Sequence, residues 1–177
     1  MRSNVSVPVR NLILFTVVFT FLLLFPIASN AQKKTIILIR HAEKETSSMA
    51  DQNDPPLSDA GVERAARFRK LAGKYRPGAV YSTNYKRTRS TVEPIAKKRH
   101  VEIQTYDPKN NAELIDRIMK SKTKRFVVVG HSNTIPGLVN QIAKKELFKN
   151  LDDAEYGTIW VVRIKDGRVR KIEILPF

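Results

Sequence analysis

Past residue 31 the chain alternates between short apolar runs and longer amphipathic ones. Residues 36–39 (Ile-Ile-Leu-Ile) and 126–129 (Phe-Val-Val-Val) are unbroken apolar runs, the pattern of strands buried on both faces. Residues 79–81 form a third short run, and residues 101–105 alternate as an edge strand does. Helical periodicity fills the intervals. Ser58 can cap a helix running to about Ala72, with Val62, Ala65, Ala66 and Leu71 as its inner stripe. Residues 86–98 read as a second helix in spite of Pro94, and residues 111–120 as a third, with Leu114, Ile115 and Ile118 inward. Residues 134–145 make a fourth, facing inward through Ile135, Leu138, Val139 and Ile142. Two last strands, residues 159–164 and 169–175, flank Lys165-Asp166-Gly167-Arg168, whose Asp-Gly pair is a hairpin turn signal.

Strand and helix thus alternate for most of the chain. The expected fold is α/β: a three-layer sandwich with a mostly parallel central sheet, helices on both faces and a C-terminal antiparallel hairpin. In such sheets ligands bind outside the carboxyl ends of the strands. The strand at residues 36–39 runs straight into Arg40-His41, and that at 126–129 into Gly130-His131. Two of the three histidines of the chain are therefore expected at one sheet edge; His100, the third, follows a Lys-Lys-Arg run.

The first 31 residues stand apart. Arg2 and Arg10 precede an apolar stretch at residues 12–25, Pro26 breaks it, and Ser29-Asn30-Ala31 supplies small residues before Gln32. This is the charged, apolar and small-residue order of a secretory signal. An apolar helix of that length spans roughly 21 Å, short of the about 30 Å hydrocarbon core, so no stable membrane anchor is expected after cleavage. The expected domains are a signal peptide at residues 1–31 and one further domain at residues 32–177, exported to a periplasmic or secreted location. The chain has no cysteine, which excludes disulfides and thiolate metal sites.

The formal net charge is +15, and the leader holds two of the 32 basic residues and none of the 17 acids, so the rest carries +13. Such a surplus favours anionic partners: phosphorylated small molecules, nucleic acid or anionic lipid headgroups. The basic residues are scattered along the sequence, with no basic-aromatic cluster of the nucleic-acid type, so a solvated basic surface is expected and a nucleic-acid site is not. With two histidines committed to one crevice, no closely spaced donors remain for a metal, and no cofactor is expected.

A neutral, oriented imidazole can attack phosphorus, provided guanidinium forks hold the phosphoryl oxygens and a further donor takes up developing charge. Arg40, His41, His131 and Arg87 or Arg89 supply those parts. The residues also carry a resemblance. Arg40-His41-Ala42-Glu43 resembles the Arg-His-Gly/Ala-Glu signature of the histidine phosphatase superfamily, the phosphoglycerate mutase-like group. Leu57-Ser58-Asp59-Ala60-Gly61 resembles its Leu-Thr/Ser-x-x-Gly segment. The run from Tyr81 through Ser82, Thr83, Asn84 and Arg87 to Thr91 resembles its Ser-x-x-x-Arg-x-x-x-Thr segment. Gly130-His131-Ser132 resembles the second histidine motif. Four motifs in family order extend over nearly all of residues 32–177.

The resemblance implies a metal-independent phosphoric monoester hydrolase in which His41 is the nucleophile and forms a phosphohistidine, with a small phosphorylated substrate and inorganic phosphate as its partners. Arg40, Arg87 and His131 would complete the phosphate pocket. The spacing to Thr91 selects Arg87, and Arg89 lies about 200° around the helix from it. Asn133 either donates to phosphate or caps the following helix, and Ser82 and Asn84 either touch substrate or shape the turn. The general acid departs from the family pattern. Ser132, not aspartate, follows His131, and Asp107 is the first candidate, ahead of Glu113, which suits the first turn of a helix. Glu43 is expected to orient its loop. A mutase would need a long lid, for which there is little chain. The alternatives are a protein phosphohistidine phosphatase and a non-catalytic module that binds phosphate or another anion.

Overall fold

The computed structural model describes residues 32–47 and 51–177; the leader expected at residues 1–31 lies outside them. The order of elements is β1 (Lys33–Arg40), α1 (Asp59–Tyr75), β2 (Ala79–Ser82), α2 (Lys86–Arg99), β3 (Ile103–Thr105), α3 (Asn111–Lys120), β4 (Arg125–Gly130), α4 (Ile135–Ala143), β5 (Thr158–Lys165) and β6 (Arg168–Pro176). Six strands form one sheet in the order β3-β2-β4-β1-β5-β6. The first four in that order are parallel, while β5 runs antiparallel to β1 and β6 antiparallel to β5. The α/β architecture with its C-terminal antiparallel pair is thus as the residue pattern indicates, and the sheet as a whole is mixed.

The pleat of β1 divides the core, because successive side chains leave a strand on opposite faces. Ile36 and Leu38 pack with Phe126 and Val128 of β4, Leu114 and Ile118 of α3, and Ile135, Leu138 and Val139 of α4. Ile37 and Ile39 pack on the other face with Phe68 and Ala72 of α1 and Val92 and Ile95 of α2. Both central strands are buried on both faces, which explains their lack of polar alternation.

Ser58 caps α1 as its position suggests, its side chain accepting from the Gly61 amide. The inner stripe differs, however. Gly61, Ala65, Phe68 and Ala72 are buried, whereas Val62 is 58% exposed and Ala66 also faces solvent. The buried set keeps the 3.6-residue period from Gly61, where a side chain would collide with the Glu43 carbonyl. Three boundaries also shift. The edge strand begins at Ile103, since the Val101 amide still bonds the Ala96 carbonyl at the end of α2. The last helix starts at Ile135 and stops at Ala143, before Lys144 takes a left-handed φ of 55°. Pro94 sits inside α2 without interrupting it. In the hairpin, Asp166 and Gly167 have φ of 53° and 70°, the left-handed pair that joins twisted antiparallel strands. Among the described residues no helix is long and apolar enough to cross a membrane.

Candidate active site

Parallel pairing of β1 with β4 places Arg40 opposite Gly130, so the next residue of each strand leaves the sheet at the same edge. The His41 amide donates to the Gly130 carbonyl at 2.9 Å, and the two imidazoles stand 5.5 Å apart between centroids. Neighbouring strands are about 4.8 Å apart, so adjacency alone brings the rings together.

His41 is buried and oriented. Its Nδ1 lies 2.8 Å from the Ala42 carbonyl, which can only accept, so Nδ1 carries the proton and Nε2 keeps its lone pair. The Ala42 amide donates to Thr91 Oγ1 at 2.9 Å, and the Thr91 hydroxyl donates to the Arg87 carbonyl at 2.7 Å. The turn after β1 is thereby tied to α2. Burial pushes the His41 pKa down to about 3 against the opposing bond to Ala42, helped by the neighbouring His131, Arg40 and Arg87. Burial, then Arg87 and Arg40, lower His131 to about 4. Both rings are therefore neutral near pH 7. Next to them Glu43 takes Arg64 in a forked ion pair, with Arg64 Nε 2.8 Å from both carboxylate oxygens. Arg64 holds the Glu43 carboxyl below its ordinary pKa, and the pair fastens α1 to the loop that follows His41.

The two arginines flank the histidines. Arg40 is buried, and its Nη1 donates to the carbonyls of Asp152 and Glu155, each at 2.8 Å. Its guanidinium lies 4.1 Å from the centre of the Tyr156 ring, and its Nη2 is 3.7 Å from the Asp153 carboxylate. Arg87 stacks 4.4 Å over Tyr85, with Nη1 3.7 Å from Asp54. Both Nε atoms are buried without a partner. A buried donor left unpaired costs about 1–3 kcal/mol. Two guanidinium groups lining one cleft suit an anion with several acceptor oxygens. That cleft, of about 510 Å³, is lined by Arg40, His41, Arg87 and His131, with Lys44, Tyr85, Lys109, Ser132 and Asn133 around them.

The structure thus brings together Arg40, His41, Arg87, His131 and Asn133. Asn133 is exposed on the cleft rim, and the cap position of α4 falls on Thr134, whose hydroxyl accepts from the His131 amide at 2.9 Å. Capping therefore does not occupy Asn133. Arg89 reaches toward Thr105 instead, as its helical phase indicates. Ser82 is buried and bonds the Thr83 carbonyl, shaping the turn. Asp107 does not join the histidines. It lies exposed in a neighbouring cleft, where its carboxylate accepts from the Lys109 amide at 2.9 Å and closes a turn. Glu113 exchanges bonds with Asn110 as a helix cap.

Sequence reasoning missed three contributors. Thr83 stands four residues before Arg87, where the segment has serine, and its Oγ1 is 3.0 Å from His131 Nε2. The spacing alone could have singled it out. The Tyr85 and His131 rings meet in a T-shaped pair, 5.1 Å between centroids. The turn at residues 152–156, which holds Arg40, follows no recognisable motif.

The profile of the histidine phosphatase superfamily, branch 1, matches residues 36–108, a span holding the Arg-His signature, the Ser58 segment and Arg87. Over that span the chain matches the histidine phosphatase superfamily. No curated protein matches the sequence significantly. Solved structures share the superfamily fold at low identity. A candidate phosphohistidine phosphatase SixA of Agrobacterium tumefaciens is 20% identical with a TM-score of 0.62, covering 81% of this chain and 99% of its own. The protein histidine phosphatase SixA complexed with tungstate is 12% identical with a TM-score of 0.63, covering 80% and 96%. A mycobacterial glucosyl-3-phosphoglycerate phosphatase complexed with VO3 is 12% identical with a TM-score of 0.63, covering 81% and 98%.

Proposed function

We propose that the protein is a metal-independent phosphatase that hydrolyses a small phosphomonoester through a phosphohistidine on His41. One observation carries the reading: His41, its Nδ1 engaged by the Ala42 carbonyl and its Nε2 left with a lone pair, lines one cleft with Arg40, Arg87 and His131. The guanidinium groups would take the phosphoryl oxygens, and His41 Nε2 would attack phosphorus as the ester P–O bond breaks. The leaving oxygen takes a proton from solvent or a polar neighbour. Water then attacks the phosphohistidine, the P–N bond breaks, and phosphate leaves with His41 neutral again. The cations that add to burial in lowering the histidine pKa also stabilise charge in transfer. The export to a periplasmic or secreted location suggested by residues 1–31 remains part of this proposal, as does a soluble domain after cleavage.

The acid side of the pH profile follows from the lowered pKa values. Histidines at about 3 and 4 stay neutral until the pH falls through that range, so active enzyme is lost there and not near 6.5. The check is kcat/KM for p-nitrophenyl phosphate from pH 4 to 8, normalised for ionisation of the substrate. A half-loss near pH 6.5 would contradict the neutral nucleophile.

The placement of Asp107 and Glu113 favours a second reading, a phosphohistidine-protein phosphatase. A phosphoramidate or other good leaving group needs less help from an acid, and neither carboxylate reaches the histidines. Asp107→Asn is accordingly expected to change hydrolysis of alkyl phosphates and of p-nitrophenyl phosphate equally, by less than about three-fold. A selective loss on alkyl phosphates of about a hundred-fold would make Asp107 the general acid. The intact quartet of Arg40, His41, Arg87 and His131 argues against a module that only binds anions.

A further inference from the structure

The basic residues, scattered in sequence, are gathered in space. β1, β2, β3 and β4 run toward the catalytic edge, so each begins at the opposite one. The helices α1, α2 and α3 end just before those strands begin, with basic residues at 74 and 76, at 97–99 and at 120–125. Lys33 pairs with Lys165 across β1 and β5, which brings the hairpin turn and Arg168 to the same place. Lys144, after α4, lines a cavity there with Lys34 and Gly167.

These segments touch. Lys34 Nζ donates to the Ser121 and Thr123 carbonyls, Arg125 Nε to the Arg76 carbonyl, and Arg99 Nε to the Pro77 carbonyl. Within residues 33–34, 74–76, 97–102, 120–125, 144–145 and 165–168 the only acids are Glu102 and Asp166. Over the rest of residues 32–177 basic and acidic side chains balance in number, so the entire +13 lies at this edge. Lys97 and Lys120 form ion pairs with Glu93 and Asp116 one turn back, but most of the remainder are exposed and unpaired. Helix dipoles favour cations at helix ends, yet Lys33, Lys122, Lys124, Lys165 and Arg168 lie outside the helices.

We infer that this pole docks the protein electrostatically on an anionic phospholipid surface, with the catalytic cleft facing away from it. The pole is made of separate chain turns with no aromatic platform interleaved for bases, which favours a membrane over a nucleic acid.

Vesicle co-sedimentation of the full chain tests this. Mixed phosphatidylglycerol–phosphatidylcholine vesicles are compared with pure phosphatidylcholine, which reports any binding through the apolar stretch alone. At low salt the protein should bind the anionic vesicles at least about ten-fold more tightly, and the preference should fall as salt shortens the Debye length. Lys122→Glu with Lys145→Glu, and separately Lys33→Glu with Lys165→Glu, should each remove about ten-fold or more of that preference. Arg67→Glu with Lys149→Glu, the same charge change away from the pole, should alter it by less than about two-fold. Retained p-nitrophenyl phosphate hydrolysis checks the fold of each variant without entering the readout. Equal binding to both vesicles, equal effects of pole and control pairs, or a duplex oligonucleotide that strips the protein from vesicles at equimolar phosphate would each overturn the inference.

Discussion

His41→Ala is expected to lower phosphatase turnover by about 10⁴-fold or more, because it removes the atom to which phosphate is transferred and no neighbour can replace it. His131 is 5.5 Å away between ring centroids, but its Nε2 is engaged by Thr83. The cleft should survive the change. Arg40 is held by the carbonyls of Asp152 and Glu155, and the Thr91 bond to Ala42 does not involve the imidazole. Inorganic phosphate should therefore still bind, measurable by calorimetry at neutral pH. The variant also has a signature in stability. In the folded wild type His41 titrates at about 3, while in the unfolded chain it titrates near 6.5, so the unfolded state binds the proton first. Stability of the wild type thus falls as pH drops from about 6.5 toward 3, by up to about 1.4 kcal/mol per pH unit from this group. His41→Ala removes that contribution, and urea unfolding at pH 7 and pH 5 should show a shallower decline for the variant. A variant with near wild-type turnover would rule out the covalent role.

Arg87→Lys is expected to cost about 10²–10³-fold in kcat/KM although the charge is kept. An ammonium offers no planar fork and would lose the stacking of the guanidinium on Tyr85. Arg89→Lys, two residues on and turned toward Thr105, should stay within about two-fold. Steady-state kinetics on p-nitrophenyl phosphate decide between them. If Arg89→Lys proves the damaging change, the phase of α2 relative to the site is other than described.

Much of this arrangement was legible from the sequence because it depends on local pattern. Short runs rich in β-branched residues, such as Ile36 to Ile39, favour interior strands over helices, and a polar residue directly after a buried strand emerges at its edge. Adjacency of two such strands then puts His41 beside His131. What was not legible depends on contacts between distant segments. Val62 looks apolar enough to face inward, yet the close approach of Gly61 to the Glu43 carbonyl rotates α1 and selects Phe68 instead. Asp107 has the right charge and sits at a strand end, but the turn that follows β3 engages its carboxylate with the Lys109 amide. The carbonyls that hold Arg40 come from residues 152 and 155, over a hundred positions away, and backbone acceptors leave no trace in side-chain identity. The basic pole is a similar case. Its charges are dispersed along the chain, and only parallel strand order collects them at one edge.

The covalent intermediate is the central claim, and its direct test is to trap it. The purified protein is mixed with radiolabelled phosphomonoester, quenched within milliseconds, held at alkaline pH where phosphoramidates survive, digested and mapped. The account predicts label on Nε2 of His41, absent from His41→Ala. Label on His131, or turnover with no covalent phosphate at any quench time, would contradict it.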